Sequence, residues 1–404
     1  MEIILNPYGY RLFQYIMKYG LLVLPFPVPK VIRGDGSIKE AGILIKSQNM
    51  GRLLVVTDKG IVKAGLLQGL TKVLDKAHIS YTVFDDVQPN PTIDNIEDGL
   101  KKYLADKCSG IIAIGGGSPI DCAKVIAARA ANPDRSVKKM KGLFRVWHKI
   151  PPLIAIPTTA GTGSETTVAA VISDPTEREK FAIMDIKIVP HFAILDPALT
   201  TGLPPHLTAA TGLDALTHAI EAYVSLHATG FTNDNAKKAV KIIFDNLEDV
   251  YHDGSNIKKR EEMLMASFYG GSAFTRASIG YVHAIAHNLG GMYHVPHGLA
   301  NAIVLPHVLE YSSDTIKHKL AELALVSGTG KKTDSTEALS QKFIDRIKGL
   351  NKRMNIPNHV KEIQKQDIPL LVKRILKEAN PLYPVPKLMK ARDCERVLMG
   401  LCAG

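Results

Sequence analysis

The sequence predicts an α/β domain followed by an all-α domain, and three observations carry that prediction. Short β-branched runs alternate with helical periodicity through the first half of the chain. From about Pro205 onward such runs nearly vanish and long helical patterns take over. Between the two, a glycine and two prolines (Gly202, Pro204, Pro205) interrupt the pattern, which divides the chain into 1–202 and 203–404. At 404 residues there is enough chain for each part to bury its own core.

The elements follow in order. Arg52-Leu53-Leu54-Val55-Val56-Thr57 reads as a strand, and Val62 to Ala77 as the helix after it. Tyr81-Thr82-Val83-Phe84 and Ile93 to Leu104 repeat the pair. Gly110-Ile111-Ile112-Ala113-Ile114 is almost continuously apolar, as a strand covered on both faces should be. Pro119 to Ala131 is the third helix, with Ser118 and Pro119 as its start signal. Leu153-Ile154-Ala155-Ile156 is the next strand. Repeated βα units imply a mostly parallel, doubly wound sheet. In the second half, helices are expected at Leu207 to Ser225, Asn233 to Tyr251, Lys258 to Ala273 and Val282 to Gly290, with more after Ala300. No internal repeat or low-complexity segment interrupts them. The cleft between two such domains is the default place for an active site.

Composition narrows the function classes. The chain is 46% hydrophobic and 22% charged, the balance of a soluble globular enzyme. Its formal charge of +11 would suit nucleic acid, but the lysines are scattered or fall on helical faces, as in Val372-Lys373-Arg374-Ile375-Leu376-Lys377. No long basic block exists, so no nucleic-acid partner is expected. Cys108, Cys122, Cys394 and Cys402 form no CxxC pair, which points to reduced thiols and a cytoplasmic protein. The apolar run Tyr19 to Phe26 is short, broken by proline and without a small-residue cleavage site. It reads as an early strand, and neither a signal peptide nor a membrane span is expected.

Two regions carry chemistry. In the first half, Gly115-Gly116-Gly117-Ser118-Pro119 lies between a strand and a helix. Glycines let a backbone approach a pyrophosphate, and a helix N-terminus offers free N–H groups to an anion. The spacing is not GxGxxG, so a tight turn without ligand is the alternative. Asp58 follows the first strand, where a carboxylate can accept hydrogen bonds from a ribose diol and would repel a 2′-phosphate. That position favours NAD over NADP; helix capping is the competing role. The loop Pro157-Thr158-Thr159-Ala160-Gly161-Thr162-Gly163-Ser164-Glu165 is dense in small polar groups that could bond phosphates, ribose or a nicotinamide amide.

In the second half, Asp214 and His218 stand four apart in Gly212-Leu213-Asp214-Ala215-Leu216-Thr217-His218, on one face of a helix. His283 and His287 repeat the spacing, and His297 follows after Gly290-Gly291, read as a turn. A lone helical histidine is usually a surface or satisfied core residue. Asp214, His218, His283 and His297 together can converge from two helices and the turn after the second. Mixed nitrogen and oxygen ligands suit a borderline divalent ion such as iron or zinc. His287, one turn from His283, can face the same cavity without ligating. His294 is second to these, and His191, His227 and His252 have no partner at useful spacing.

With these residues in view, the chain resembles an iron-containing (group III) alcohol dehydrogenase. The matching motifs are Thr57-Asp58-Lys59, Asn90-Pro91-Thr92, Gly115-Gly116-Gly117-Ser118, Pro157 to Glu165, Gly212 to Glu221, His283 to Pro306 and Ala379-Asn380-Pro381, so the likeness spans nearly the whole chain. The resemblance implies a Rossmann-like N-terminal domain and a helical C-terminal domain in a dehydroquinate synthase-like architecture. It implies Asp214, His218, His283 and His297 as Fe²⁺ ligands, with Zn²⁺ or another divalent ion as an alternative. It sets His287 beside nicotinamide and substrate as a proton relay. Asp58 and Asn90 fall on the adenosine side; Gly115, Gly116, Gly117, Ser118, Thr158 and Thr159 fall around pyrophosphate and nicotinamide; Asp121, Thr167 and Lys180 match further cofactor-contacting positions. Residues 132–151, with the single tryptophan Trp147, are unfamiliar within the family and read as a surface excursion.

The activity implied is hydride transfer between NAD and a small alcohol or aldehyde substrate, in a homodimer or larger homo-oligomer with no membrane partner. Three rivals within the wider superfamily are a zinc-dependent glycerol-dehydrogenase-like enzyme, a dehydroquinate-synthase-like lyase and a hydroxyacid–oxoacid transhydrogenase. His218 at i+4 favours the iron type over the first two, whose resemblance implies three protein ligands. A non-enzymatic nucleotide- or metal-binding protein would have lost a ligand or the glycine loop, and neither is missing.

Overall fold

The computed structural model describes residues 6–177 and 179–402. They form two compact units, one built from 25–203 with Gly254–Gly271, the other from 6–24, Pro204–Asp253 and 272–402. Each unit therefore draws on more than one stretch of chain.

Among the described residues the first unit is built on nine strands: β1 (Lys30–Arg33), β2 (Leu53–Val56), β3 (Tyr81–Phe84), β4 (Gly110–Gly115), β5 (Gly142–Leu143), β6 (Leu153–Pro157), β7 (Ala169–Asp174), β8 (Glu179–Met184) and β9 (Phe192–Leu195). Six make an all-parallel sheet in the order β1-β9-β6-β4-β2-β3. Successive side chains on a strand serve opposite faces. Leu54, Val56, Ile111, Ala113, Leu153 and Ala155 accordingly join one apolar core, while Leu53, Val55, Ile112, Ile114, Ile154 and Ile156 join the other. Both faces are covered, which is why these strands read as unbroken apolar runs. Because β2, β4 and β6 are parallel and in register, their C-terminal ends share one edge of the sheet, with Gly115 paired to Pro157. The segments after them, carrying Asp58, Gly116-Gly117 and Thr158-Thr159, start from that edge. It is where open α/β sheets bind ligands. A smaller sheet, β5-β8-β7, has an antiparallel β7–β8 pair that the sequence reading missed.

The helical unit includes Pro205–Val224, Gly230–His252, Tyr281–Tyr293, His297–Val326, Thr336–Arg353, Ile368–Ala379 and Ala391–Leu401. Pro205–Val224 is central: from Gly212 to Val224 every residue is buried. Gly298 matters for where His297 sits. A side chain there would collide with the carbonyl of Ala210, so glycine lets the start of His297–Val326 close onto the helix that carries Asp214.

Several expectations need correction. Tyr19 to Phe26 is not a strand. Pro7–Leu22 is a helix, with Asn6 accepting from the Gly9 amide and Pro7 at its first position, and the first strand waits until Lys30. Apolar periodicity covers both forms in so short a run. The helix expected from Val62 to Ala77 is two, Lys59–Lys63 and Leu66–Lys76, parted by Gly65 at φ 75°. Ser118 does not cap its helix: Gly116 occupies the cap position and the helix begins at Gly117. Gly290-Gly291 is no turn but the last turns of Tyr281–Tyr293, and the chain reverses at His294, φ 58°. Residues 132–151 are more than a surface excursion. Val137, Met140, Val146 and Ile150 are buried in one core of the sheet, and Asn132 accepts from the amides of Trp147 and His148, both at 3.0 Å.

Candidate metal centre and nucleotide site

In the helical unit, three segments bring the predicted ligands together. Asp214 and His218 come from Pro205–Val224, His283 from Tyr281–Tyr293, and His297 opens the next helix. Asp214 and His283 are almost completely enclosed, at 2% and 1% exposure. Asp214 Oδ1 lies 3.7 Å from His283 Nε2 and 3.6 Å from His297 Nε2. One ligand atom from each of Asp214, His283 and His297 falls within 4.8 Å of the others. His218 stands outside that trio. Its ring stacks between Phe274, at 4.1 Å between centroids, and His283, at 4.5 Å.

These separations fit a metal. Ligand bonds of roughly 2.0–2.2 Å in tetrahedral geometry put donor atoms about 3.4 Å apart. His283 Nε2 is buried and has no hydrogen-bond partner among the described residues, whereas its Nδ1 is 2.6 Å from Glu221 Oε2. A buried polar atom without a partner is costly. One nitrogen held by a carboxylate while the other faces a donor cluster is the arrangement of a metal-bound imidazole. The electrostatics agree. Burial pushes the Asp214 carboxyl up, but His218, His297 and His283 outweigh it and hold the group well below the usual carboxylate range. Burial pushes His283 down, and the negative charges of Asp214 and Glu221 prevail, raising it to about 9. A cation at the centre would take the place of that proton.

Sequence reasoning missed the groups that orient these ligands. Glu221 accepts from the Gly280 amide at 2.9 Å and the Val282 amide at 2.8 Å as well as bonding His283. Asn301 donates to Asp214 Oδ1 at 2.6 Å and stands 3.2 Å from His297 Nε2. Spacing could have found both: Glu221 is on the Asp214 face of its helix, and Asn301 is four residues after His297. Glu378 had no such signal. It lies 91 residues from His287, whose Nδ1 it meets at 2.7 Å. The rings of His287 and His297 stack at 5.2 Å, so His287 does border the cluster. His227 bonds the Gln14 carbonyl at 2.7 Å, and the His191 ring accepts from the Leu153 amide at 3.2 Å.

In the α/β unit, β4 runs out at Gly115, where φ is 149° and an added Cβ would lie 2.7 Å from Pro119 Cγ, leaving no room for a side chain. Thr158 donates its amide to the Gly115 carbonyl at 3.0 Å, tying the two strand ends together. Ser118 Oγ accepts from the Asn90 amide at 3.2 Å, and Lys180 Nζ donates to Asn90 Oδ1 at 2.9 Å, so Asn90, Ser118 and Lys180 meet. Asp58 Oδ1 accepts from the Ile61 amide at 3.0 Å and caps Lys59–Lys63. Asp121 and Thr167 are drawn into a buried cluster around Lys124. Lys124 Nζ donates to Thr167 Oγ1 (2.9 Å) and to the carbonyls of Thr167 (3.0 Å) and Ala169 (2.8 Å). Asp121 accepts from Ser164 Oγ at 2.5 Å and the Val171 amide at 2.9 Å. Burial lowers Lys124 to about 8 and raises Glu165 to about 7. Lys124 and Glu165 were also missed, although Lys124 sits three residues after Asp121 on the same helix face.

Comparison with known proteins agrees with this geometry. Residues 28–197 match the family model for iron-containing alcohol dehydrogenase, and 208–400 match the C-terminal model of the Fe-containing alcohol dehydrogenase family. The 1,3-propanediol dehydrogenase of Klebsiella pneumoniae is 38% identical over 377 residues, 92% of this chain and 94% of that protein. A crystal structure of 1,3-propanediol oxidoreductase superposes with a TM-score of 0.90 at 36% identity, over 93% of this chain and 99% of the other. Sulfoacetaldehyde reductase from Bifidobacterium kashiwanohense, solved in complex with NAD⁺, gives 0.83 at 27% identity, over 94% and 98%.

Proposed function

The chain belongs to the iron-containing alcohol dehydrogenase family, and from that premise we propose which of its groups perform the chemistry. It is an oxidoreductase that interconverts a small alcohol or diol and its aldehyde or ketone by hydride transfer with NAD(H). Iron, when bound, supplies Lewis acidity, which makes an alcohol easier to ionise and a carbonyl easier to reduce. Asp214, His218, His283 and His297 would hold it. Glu221 holds His283 Nδ1, which would leave Nε2 for the ion, and Asn301 steadies Asp214. His287 takes the substrate's hydroxyl proton in oxidation and returns it in reduction, a task for which imidazole is suited.

On the nucleotide side, the backbone of Gly115, Gly116 and Gly117 and the start of Gly117–Ala131 receive the pyrophosphate. Asn90, Ser118, Thr158, Thr159 and Lys180 line the cofactor, and Asp121 and Thr167 support them from the buried cluster. Asp58 accepts from the adenosine ribose and favours NAD over NADP. The main break between the nucleotide-binding and metal-binding parts falls near 202–205, although 6–24 belongs to the helical unit and Gly254–Gly271 to the α/β unit. No helix among the described residues is long and apolar enough to cross a membrane, and the four cysteines are unpaired thiols, in keeping with a cytoplasmic enzyme. Pro7–Leu22 exposes Tyr8, Leu12, Tyr15, Ile16 and Tyr19, a stripe that supports a homodimer or larger assembly.

The observation that carries this reading is the buried, partnerless His283 Nε2 facing Asp214 and His297. Protein prepared without air and loaded with iron should form NADH from NAD⁺ with 1-propanol, 1,2-propanediol or 1,3-propanediol, followed by absorbance. Failure across a broad alcohol panel by iron-replete protein would overturn it. NADH that appears only transiently, with net turnover once a 2-oxoacid is added, would mark a transhydrogenase instead.

A further inference from the structure

One carboxylate beside the metal site has had no part in the chemistry so far. Glu378 ends the helix Ile368–Ala379, and its two oxygens receive three donors. His287 Nδ1 meets Oε1 at 2.7 Å, Tyr383 Oη donates to Oε1 at 3.0 Å, and Asn288 Nδ2 donates to Oε2 at 2.9 Å. Asn288 is itself tied to the Ala284 carbonyl at 2.8 Å, on the helix that carries His287. An ionised carboxylate only accepts hydrogen bonds, so a short contact from Nδ1 requires the imidazole proton to be there. The His287 side chain keeps 25% exposure, against 2% for His283 and 36% for His297, so it is open enough to meet a substrate.

We propose that Glu378 is a positioning residue for His287, holding its ring and fixing the Nδ1–H tautomer so that the proton-accepting lone pair is confined to Nε2. This rests on His287 acting as the proton relay. In alcohol oxidation the substrate's hydroxyl proton passes to Nε2, the C–H bond breaks with its electron pair going to NAD⁺, and the carbonyl product leaves. Glu378 holds the Nδ1–H side of the ring through the transfer by its 2.7 Å contact. The role matches that of carboxylates that orient imidazoles at metal sites, here applied to a histidine that relays a proton.

The tautomer can be read directly. Full-length protein labelled with ¹⁵N-histidine and reconstituted with zinc, which is diamagnetic, should show His287 protonated at Nδ1, with its signals assigned by loss in His287→Gln. Glu378→Ala should shift His287 to Nε2–H or a mixture; an unchanged tautomer would overturn the proposal. In the iron enzyme, Glu378→Ala should lower kcat by roughly 10- to 100-fold while KM for NAD⁺ and iron content stay within about twofold, and Glu378→Gln, which keeps an acceptor oxygen, should restore much of the loss. Added to His287→Ala, Glu378→Ala should cost nothing more. An equal loss in both backgrounds would mean that Glu378 acts through general structure. A tautomer that shifts as expected while His287→Ala keeps full turnover would spare the positioning role and sink the relay itself.

Discussion

The two units prepare for their ligands in opposite ways. In the helical unit donor atoms are gathered around one point: Asp214 Oδ1, His283 Nε2 and His297 Nε2 cluster in a way that suits a cation, with Asn301 touching two of them. In the α/β unit almost every candidate side chain is already engaged by the protein. Asp58 caps a helix, Asp121 accepts from Ser164 and Val171, Thr167 accepts from Lys124, and Asn90 joins Ser118 to Lys180. What remains for a nucleotide there is mostly backbone and a helix N-terminus. The contrast teaches that the candidate metal site is made by side chains converging on one point, whereas the side chains at the proposed nucleotide site also brace the backbone around them.

The sharpest way to break the comparison is to remove a ligand. Asp214→Ala should abolish stoichiometric iron, measured by elemental analysis, and lower turnover by on the order of a thousandfold or more, with the α/β unit still folded by circular dichroism. His218→Ala refines it. Loss of iron would join His218 to the trio as a fourth ligand; normal iron and turnover would leave the site to Asp214, His283 and His297 alone.

The α/β unit should respond to a buried cation before any ligand-facing group. Lys124→Met leaves the Thr167 and Ala169 carbonyls without their donor and strands Asp121 and Glu165 without a counter-charge. Breaking a buried, hydrogen-bonded charge cluster costs about 3–5 kcal/mol, readable by urea unfolding. A loss under about 1 kcal/mol would mean that the cluster is not the scaffold. The same cluster sets a pH dependence. Burial raises Glu165 to about 7, so the folded chain binds that proton more tightly than the unfolded chain, with its ordinary value of 4.5. Its contribution is whole below about pH 4.5 and is lost as pH rises through 7, giving a downward slope of stability in that window. Glu165→Gln should flatten that slope; an unchanged profile would assign the slope elsewhere.

How much was legible beforehand follows the same divide. The parallel sheet was readable because both-face burial leaves continuous apolar runs such as Gly110-Ile111-Ile112-Ala113-Ile114. The candidate cluster was readable in part because helical spacing pairs Asp214 with His218 and His283 with His287, which drew attention to the two helices that meet there. What escaped was set by tertiary contact. Glu378 reaches His287 across 91 residues, and the β7–β8 pair reads only weakly in sequence. Tyr19 to Phe26 misled because a short apolar run suits strand and helix alike, and the deciding cap, Asn6, lies well upstream. Gly290-Gly291 misled because glycine, though a turn signal, is tolerated where helix packing is tight.

The smallest expected effect is also the most discriminating, because it separates the two parts given to Asp58. As a cap, Asp58 needs only a side-chain oxygen, and asparagine supplies one about as well. As a ribose acceptor that disfavours a 2′-phosphate, it needs its charge. Asp58→Asn should therefore leave unfolding free energy within about 0.5 kcal/mol of the parent. It should raise the NADP-to-NAD ratio of kcat/KM by on the order of tenfold, the equivalent of about 1.4 kcal/mol. Asp58→Ala should add the loss of the cap, about 1 kcal/mol. If Asn leaves the cofactor ratio unchanged while Ala destabilises, Asp58 is a cap alone, and cofactor choice in this unit belongs to its backbone and to the Asn90–Lys180 pair.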